Sequence, residues 1–104
     1  MKKRILGVNG LEVSAIGLGC MGMSQSYGSA DDNESVKTIL SALENGITML
    51  DTADKYGNGH NEKLISKALK EWSDDVIIAT KFGFDFEKGD FIINGRPEYV
   101  KKSV

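Results

Sequence analysis

The sequence predicts an α/β fold with a parallel sheet, preceded by a small β-hairpin. Three observations carry this. Short apolar runs alternate with helix-length amphipathic segments in the order strand, helix, strand, helix, strand. That alternation implies parallel strands joined by right-handed crossovers. The two segments between the strands place apolar residues at helical spacing. Ahead of them, two short runs flank Asn9-Gly10, a pair that tolerates the positive backbone angles of a tight hairpin turn.

The hairpin is expected over residues 3–6 and 11–15, and residues 16–19 continue as a first apolar strand. A polar loop, MSQSYGSADD, follows. Asp31 then caps a helix with Glu34 three positions on. Val36, Ile39, Leu40 and Leu43 fall at i, i+3, i+4 and i+7, and Gly46 is placed as a left-handed stop. Residues 47–50 form a second strand ending at Asp51. The loop KYGNGHN leads into a second helix over about 60–72, with Ile65, Ala68, Leu69 and Trp72 as its stripe. Residues 76–80 form a third strand that ends at Lys81. Beyond it, FGFDFEKGDFIING alternates apolar and polar residues around Glu87-Lys88-Gly89-Asp90, a hairpin-like excursion. Pro97 sits in the first turn of a further helix.

With 104 residues the chain is one domain at most. Hydrophobic residues at 40% and charged residues at 27% are the composition of a soluble globular protein. A net charge of -2 provides no basic field for nucleic acid or an anionic membrane. One cysteine, Cys20, excludes an internal disulfide and points to a reducing compartment. Lys2, Lys3 and Arg4 are followed by no apolar run, so a secretory signal is not expected, and the default expectation is a cytoplasmic protein. Three parallel strands would leave open edges, so either marginal stability or self-association through those edges is expected, and the segment reads as the opening third of something larger.

Residues 17–22, GLGCMG, carry the glycine spacing of a dinucleotide fingerprint. A true fingerprint needs a helix N-terminus at its last glycine, facing the pyrophosphate. Here a polar loop separates Gly22 from Asp31, and Asp51 ends the second strand later than the fingerprint's acidic residue should. The alternative is that the glycines allow a tight strand end and the close approach of something flat.

Asp51, Tyr56 and Lys81 are the candidate catalytic residues. Asp51 and Lys81 end neighbouring strands, and Tyr56 lies in the loop after Asp51. In parallel α/β folds those strand ends form the active rim. A tyrosine with an ordinary pKa of about 10 is a poor proton donor at neutral pH. A lysine cation beside it favours the phenolate, and an aspartate holds the lysine charged and in place. Together the three would act as a general acid toward a carbonyl oxygen. The competing reading gives them structural work: Asp51 capping a loop, Lys81 solvated, Tyr56 packed. His60 has no second histidine or cysteine near it in sequence and reads as an exposed or capping-region residue rather than a metal ligand. Cys20 reads as a small buried residue. Phe82, Phe84, Phe86 and Phe91 read as packing, with a substrate pocket as the alternative.

At these motifs, GLEVSAIGLGCMGMS, GITMLDTADKYGNGHNEKLISKAL and VIIATKFG, the chain resembles the aldo-keto reductase family, and the similarity runs on through NGRPEYVKKSV. The resemblance implies the N-terminal portion of a (β/α)8 barrel, residues 1–104 forming one piece of a single barrel domain closed at its base by the hairpin. It implies reduction of a small aldehyde or ketone with NADPH as cofactor. It makes Asp51, Tyr56 and Lys81 three of the family's four catalytic residues, with the tyrosine as proton donor. Gly22, Met23 and Ser24, together with Asp51, would line the nicotinamide ribose, which turns GLGCMG from a pyrophosphate loop into a barrel strand end. The family's fourth residue, a histidine, belongs at the end of the fourth strand, beyond Val104, and His60 does not match it. A chain without that histidine is expected to be inactive alone. A non-catalytic regulatory or interaction protein on the same scaffold, and a small complete Rossmann-like binding domain, are the competing classes.

Overall fold

The fold, given by a computed structural model, is described for residues 1–25, 30–85 and 92–104. It opens with an antiparallel hairpin of β1 (Lys3–Leu6) and β2 (Leu11–Ser14), in the register Lys3↔Ser14 to Leu6↔Leu11. The turn differs from the expected Asn-Gly pair. It spans residues 7–10, and the positive φ angles fall on Gly7 (62°) and Gly10 (76°), not on Asn9. Glycine at both ends of a four-residue loop takes the strained conformations, so Asn9 need not.

Then come β3 (Leu18–Gly19), a single 3-10 turn (Met21–Met23), α1 (Asp32–Glu44), β4 (Met49–Asp51), α2 (His60–Leu69) and β5 (Ile77–Ala79). The three strands pair in the order β3-β4-β5, all parallel, with Leu18 opposite Leu50 and Leu50 opposite Ile78. Strand β3 is shorter than residues 16–19 would suggest, and α2 stops at Leu69, short of Trp72. The antiparallel pair β6 (Phe84–Asp85) and β7 (Ile92–Ile93) forms the excursion after β5. Its expected turn, and with it Phe86 and Phe91, lies outside the described residues. Helix α3 (Pro97–Ser103) starts with Pro97 in its first turn.

Helix α1 begins where its cap dictates. Asp31 stays extended, and its carboxylate accepts from the backbone N–H groups of Asn33 and Glu34. Val36, Ile39 and Leu43 are buried with Leu40 packed beside them, and Gly46 follows at a φ of 96°. Helix α2 buries Asn61, Leu64, Ile65 and Ala68. Its inward stripe therefore starts one turn earlier than Ile65, and it starts on a polar residue. The two helices pack on each other and on one face of the sheet, and Leu50 joins Ile39 and Ala68 in that core with no exposed surface.

The hairpin is anchored at the N-terminal end of β4. The Ser14 N–H donates to Thr48 Oγ1 at 2.8 Å, and the Thr48 N–H donates to Ser14 Oγ at 3.0 Å. It thus sits at the end of the sheet opposite Asp51, as a barrel's base would require. Among the described residues no helix is long and apolar enough to cross a membrane.

Candidate active site

Parallel register brings the rim together. Past the end of β4 the strands stay in step: the Cys20 N–H donates to Asp51 O at 2.9 Å, the Thr52 N–H to Ala79 O at 2.8 Å, and the Asp54 N–H to Lys81 O at 3.1 Å. Side chains two residues apart in a strand share a face, so this register sets Asp51 and Lys81 side by side. Lys81 Nζ donates to Asp51 Oδ1 at 2.8 Å and to the Thr52 carbonyl at 2.9 Å. The same ammonium stands 5.4 Å from the centre of the Tyr56 ring. The three residues predicted to meet on one rim do meet there.

Burial pulls the Lys81 ammonium down, but the hydrogen bond and charge of Asp51, with smaller contributions from Tyr56, outweigh it. The net result holds Lys81 above the ordinary lysine value, so it is a cation at neutral pH. The pair is about half exposed, so its direct contribution to stability is small.

Tyr56 is delivered by a tightly wound loop. The Tyr56 N–H donates to Ala53 O, the Asn58 N–H to Lys55 O, and the Gly59 N–H to Asp54 O. Gly57, Asn58 and Gly59 all have positive φ. At Gly57 a Cβ would lie 2.9 Å from His60 Cβ and 3.2 Å from Ser24 Cβ, so glycine supplies both the conformation and the space.

The 3-10 turn after β3 faces this loop. A hollow of about 260 Å³ lies between them, lined by Gly19, Met21, Gly22, Asp51 and Tyr56. A Cβ on Gly19 would touch nothing within 4 Å, so the space beside this glycine is open. A second hollow of about 180 Å³ adjoins Tyr56 and Lys81 and is walled by Phe82 and Phe84. Lys55 Nζ sits 4.0 Å above the Phe84 ring, a cation–π contact that fixes this wall. Gly22 does not open a helix, since α1 starts only at Asp32. The geometry of a pyrophosphate fingerprint is therefore missing.

Three residues matter here that sequence reasoning missed or undervalued. Asn61 and Thr52 have no exposed surface. Thr52 Oγ1 donates to Asn61 Oδ1 at 2.6 Å, and Asn61 Nδ2 donates to Cys20 O at 2.7 Å and to Ser24 Oγ at 2.8 Å. One buried amide thus ties α2 to the ends of β3 and β4. The signal was an asparagine in step with Leu64, Ile65 and Ala68 at i, i+3, i+4 and i+7. His60, the first residue of α2, is partly exposed as expected, yet both ring nitrogens are engaged. Nδ1 lies 2.6 Å from Ser24 Oγ and Nε2 lies 2.9 Å from Asp32 Oδ1.

Cys20 is fully buried, as expected. Burial, helped by the nearby Asp51 charge and opposed in part by a backbone hydrogen bond from Asp51, pushes its thiol up to about 11. It is an unreactive thiol at neutral pH.

This rim can be compared with known proteins. The model of the aldo/keto reductase family matches residues 15–104. The chain belongs to the aldo/keto reductase family. It is 45% identical over 100 residues to a Glycine max protein named probable aldo-keto reductase 1, covering 92% of this chain and 29% of that protein. An uncharacterized oxidoreductase of Bacillus subtilis is 35% identical, over 100% of this chain and 33% of its own length. Among solved structures, the holo form of an aldo-keto reductase from Bacillus halodurans superposes with a TM-score of 0.84 at 40% identity, over 98% of this chain and 33% of that one. An aldo-keto reductase from Klebsiella pneumoniae in complex with NADPH superposes with a TM-score of 0.64 at 28% identity, over 79% and 28%. This aldo/keto reductase chain thus spans about a third of the length of its relatives and corresponds to the N-terminal portion of their barrel.

Proposed function

We propose that these residues form the proton-donating half of an NADPH-dependent carbonyl reductase site. The observation that carries this reading is the Lys81–Asp51 ion pair set beside Tyr56 on the rim of a parallel sheet. The hollow lined by Gly19, Met21, Gly22, Asp51 and Tyr56, with open space above Gly19, would take the planar nicotinamide ring, and the family resemblance assigns Gly22, Met23, Ser24 and Asp51 to the ribose side. NADPH, when bound, supplies the hydride that reaches the carbonyl carbon. The Tyr56 hydroxyl gives its proton to the carbonyl oxygen, which leaves as an alcohol. Lys81 stabilises the phenolate that remains, and Asp51 keeps Lys81 charged and aimed. The aromatic wall of Phe82 and Phe84 suits a small aldehyde or ketone with an apolar body.

The activity belongs to the whole barrel that these residues open, in which the family's histidine stands on the fourth strand. The 104 residues by themselves are expected not to turn over. The deciding experiment is Tyr56→Phe in the full-length protein. Carbonyl-dependent NADPH oxidation is expected to fall on the order of 10²–10⁴-fold, the usual worth of a general acid, with cofactor binding retained. A Tyr56→Phe protein that reduces carbonyls at the wild-type rate overturns the assignment.

A further inference from the structure

We propose that Lys55 is a specificity-determining residue that selects carbonyl substrates carrying a carboxylate at the end of the molecule away from the carbonyl. This rests on the reductase reading above, in which the Tyr56 hydroxyl meets the carbonyl oxygen. Lys55 and Tyr56 are consecutive, and both line the hollow of about 180 Å³ walled by Phe82 and Phe84. Lys55 is half-buried, and its ammonium stands 4.0 Å over the centre of the Phe84 ring. A small molecule in that hollow with its carbonyl at Tyr56 therefore has a positive charge on the wall beside it.

That charge is available. Among the described residues Lys55 forms no ion pair. The other cation on the hollow, Lys81, is committed to the Asp51 carboxylate and the Thr52 carbonyl. A ring face attracts the Lys55 ammonium through its quadrupole but supplies no counter-charge, and it leaves N–H donors for an oxygen acceptor. Asp54 is the opposing group on this hollow, and it is not within ion-pair distance of Lys55. It also lines the adjoining hollow with Glu62 and Thr80, which Lys55 and Phe84 do not line. An anion in contact with Lys55 gains more from that contact than it loses to a farther, water-screened Asp54.

The ring that seats the ammonium is itself fixed. The Tyr99 hydroxyl donates to Phe84 O at 2.7 Å, Phe84 pairs with Ile93 across β6 and β7, and the Asn94 N–H donates to Gly83 O at 2.8 Å. A long side chain already seated on a fixed ring has less freedom to lose when it binds a carboxylate, so the contact is partly preorganised.

The test uses the full-length protein with NADPH and two probes of one shape, 4-carboxybenzaldehyde and 4-formylbenzamide, which differ by one charge. The readout is the ratio of their kcat/KM values, so any loss common to both cancels. The wild type is expected to favour the carboxylate. Lys55→Met is expected to lower the ratio about tenfold, the low end for a hydrogen bond to a charged group, mainly through KM for the carboxylate. Lys55→Arg keeps a cation that stacks on a ring and binds carboxylates, and is expected to retain most of the preference. Raising salt from about 0.01 M to 1 M is expected to lower the wild-type ratio and to leave that of Lys55→Met unchanged. A ratio that Lys55→Met leaves unchanged, a Lys55→Arg protein that discriminates no better than Lys55→Met, or a wild type that does not favour the carboxylate would each overturn the proposal. If Tyr56→Phe abolishes reduction while Lys55→Met keeps the wild-type ratio, the reductase reading stands and this one falls. If Tyr56→Phe stays fully active while the Lys55 series behaves as expected, the hollow selects by charge and the assignment of Tyr56 falls. A wild type that reduces neither probe overturns the proposal, while Tyr56→Phe tested on a carbonyl that it does reduce still decides the reductase reading.

Discussion

Lys81 and Asp51, thirty positions apart in the chain, meet at 2.8 Å because the parallel register places Asp51 opposite Ala79, two residues before the lysine. The ion pair is thus a property of strand pairing rather than of either loop. Anything that shifts the register of β4 against β5 by one residue would break it.

Lys81→Met removes the cation while keeping the length of the side chain. It leaves the Asp51 carboxylate and the Thr52 carbonyl without their donor. In the full-length protein, kcat is expected to fall at least about tenfold, with cofactor affinity changed less. Lys81 lies above its ordinary value, so the pair is intact at neutral pH. Its contribution is fully present below the ordinary lysine range and is lost as pH rises through the raised value. The wild-type rate is therefore expected to show no limb from Lys81 between about pH 6 and 9. A pH–rate profile checks this.

Asn61→Asp tests the buried amide. The change keeps the shape but replaces the donor facing Cys20 O and Ser24 Oγ with a second acceptor. Unfolding in urea is expected to show a loss of about 2–4 kcal/mol, the cost of unsatisfied buried polar groups. Asn61→Ala, which also leaves a cavity, is expected to be no milder.

Gly57→Ala and Gly59→Ala form a matched pair. Both positions have positive φ, 62° and 93°, but only at Gly57 does a Cβ meet atoms, whereas at Gly59 it meets none within 4 Å. Gly59→Ala is expected to cost about 1 kcal/mol for backbone strain alone. Gly57→Ala is expected to cost about 2 kcal/mol or more, because His60 and Ser24 must also give way. Thermal denaturation of the two variants separates the terms, and equal losses would mean that the loop absorbs the contact.

Cys20 offers a pH test of burial. The folded thiol titrates at about 11 against an ordinary 9.0. Between those values the unfolded chain has released a proton that the native chain still holds, so native stability falls as pH rises. The expected contribution of Cys20 is about 1.4 kcal/mol per pH unit across that window, flat below it. Cys20→Ala removes this part of the slope while lowering stability at neutral pH, so the slope of urea stability against pH is the readout.

Much of this chain was determined by its sequence alone. The cap at Asp31, the stripes of α1 and most of α2, the Gly46 stop and the order of the elements all rest on neighbours within about four residues, where periodicity and capping act. Asp51, Tyr56 and Lys81 were legible for a related reason: strand ends and the loop after them can be located from the pattern, and parallel topology puts them on one rim. The rest depended on contacts between segments far apart. Asn61 was passed over because a polar residue on a buried stripe declares itself only when its partners, Thr52, Cys20 and Ser24, are in place. His60 read as an exposed capping-region residue because Ser24 and Asp32 lie 36 and 28 positions away. The local pattern sets which face of an element turns inward. Only tertiary packing decides which polar atoms end up across from one another, because a hydrogen bond requires ångström-level register that no single segment encodes.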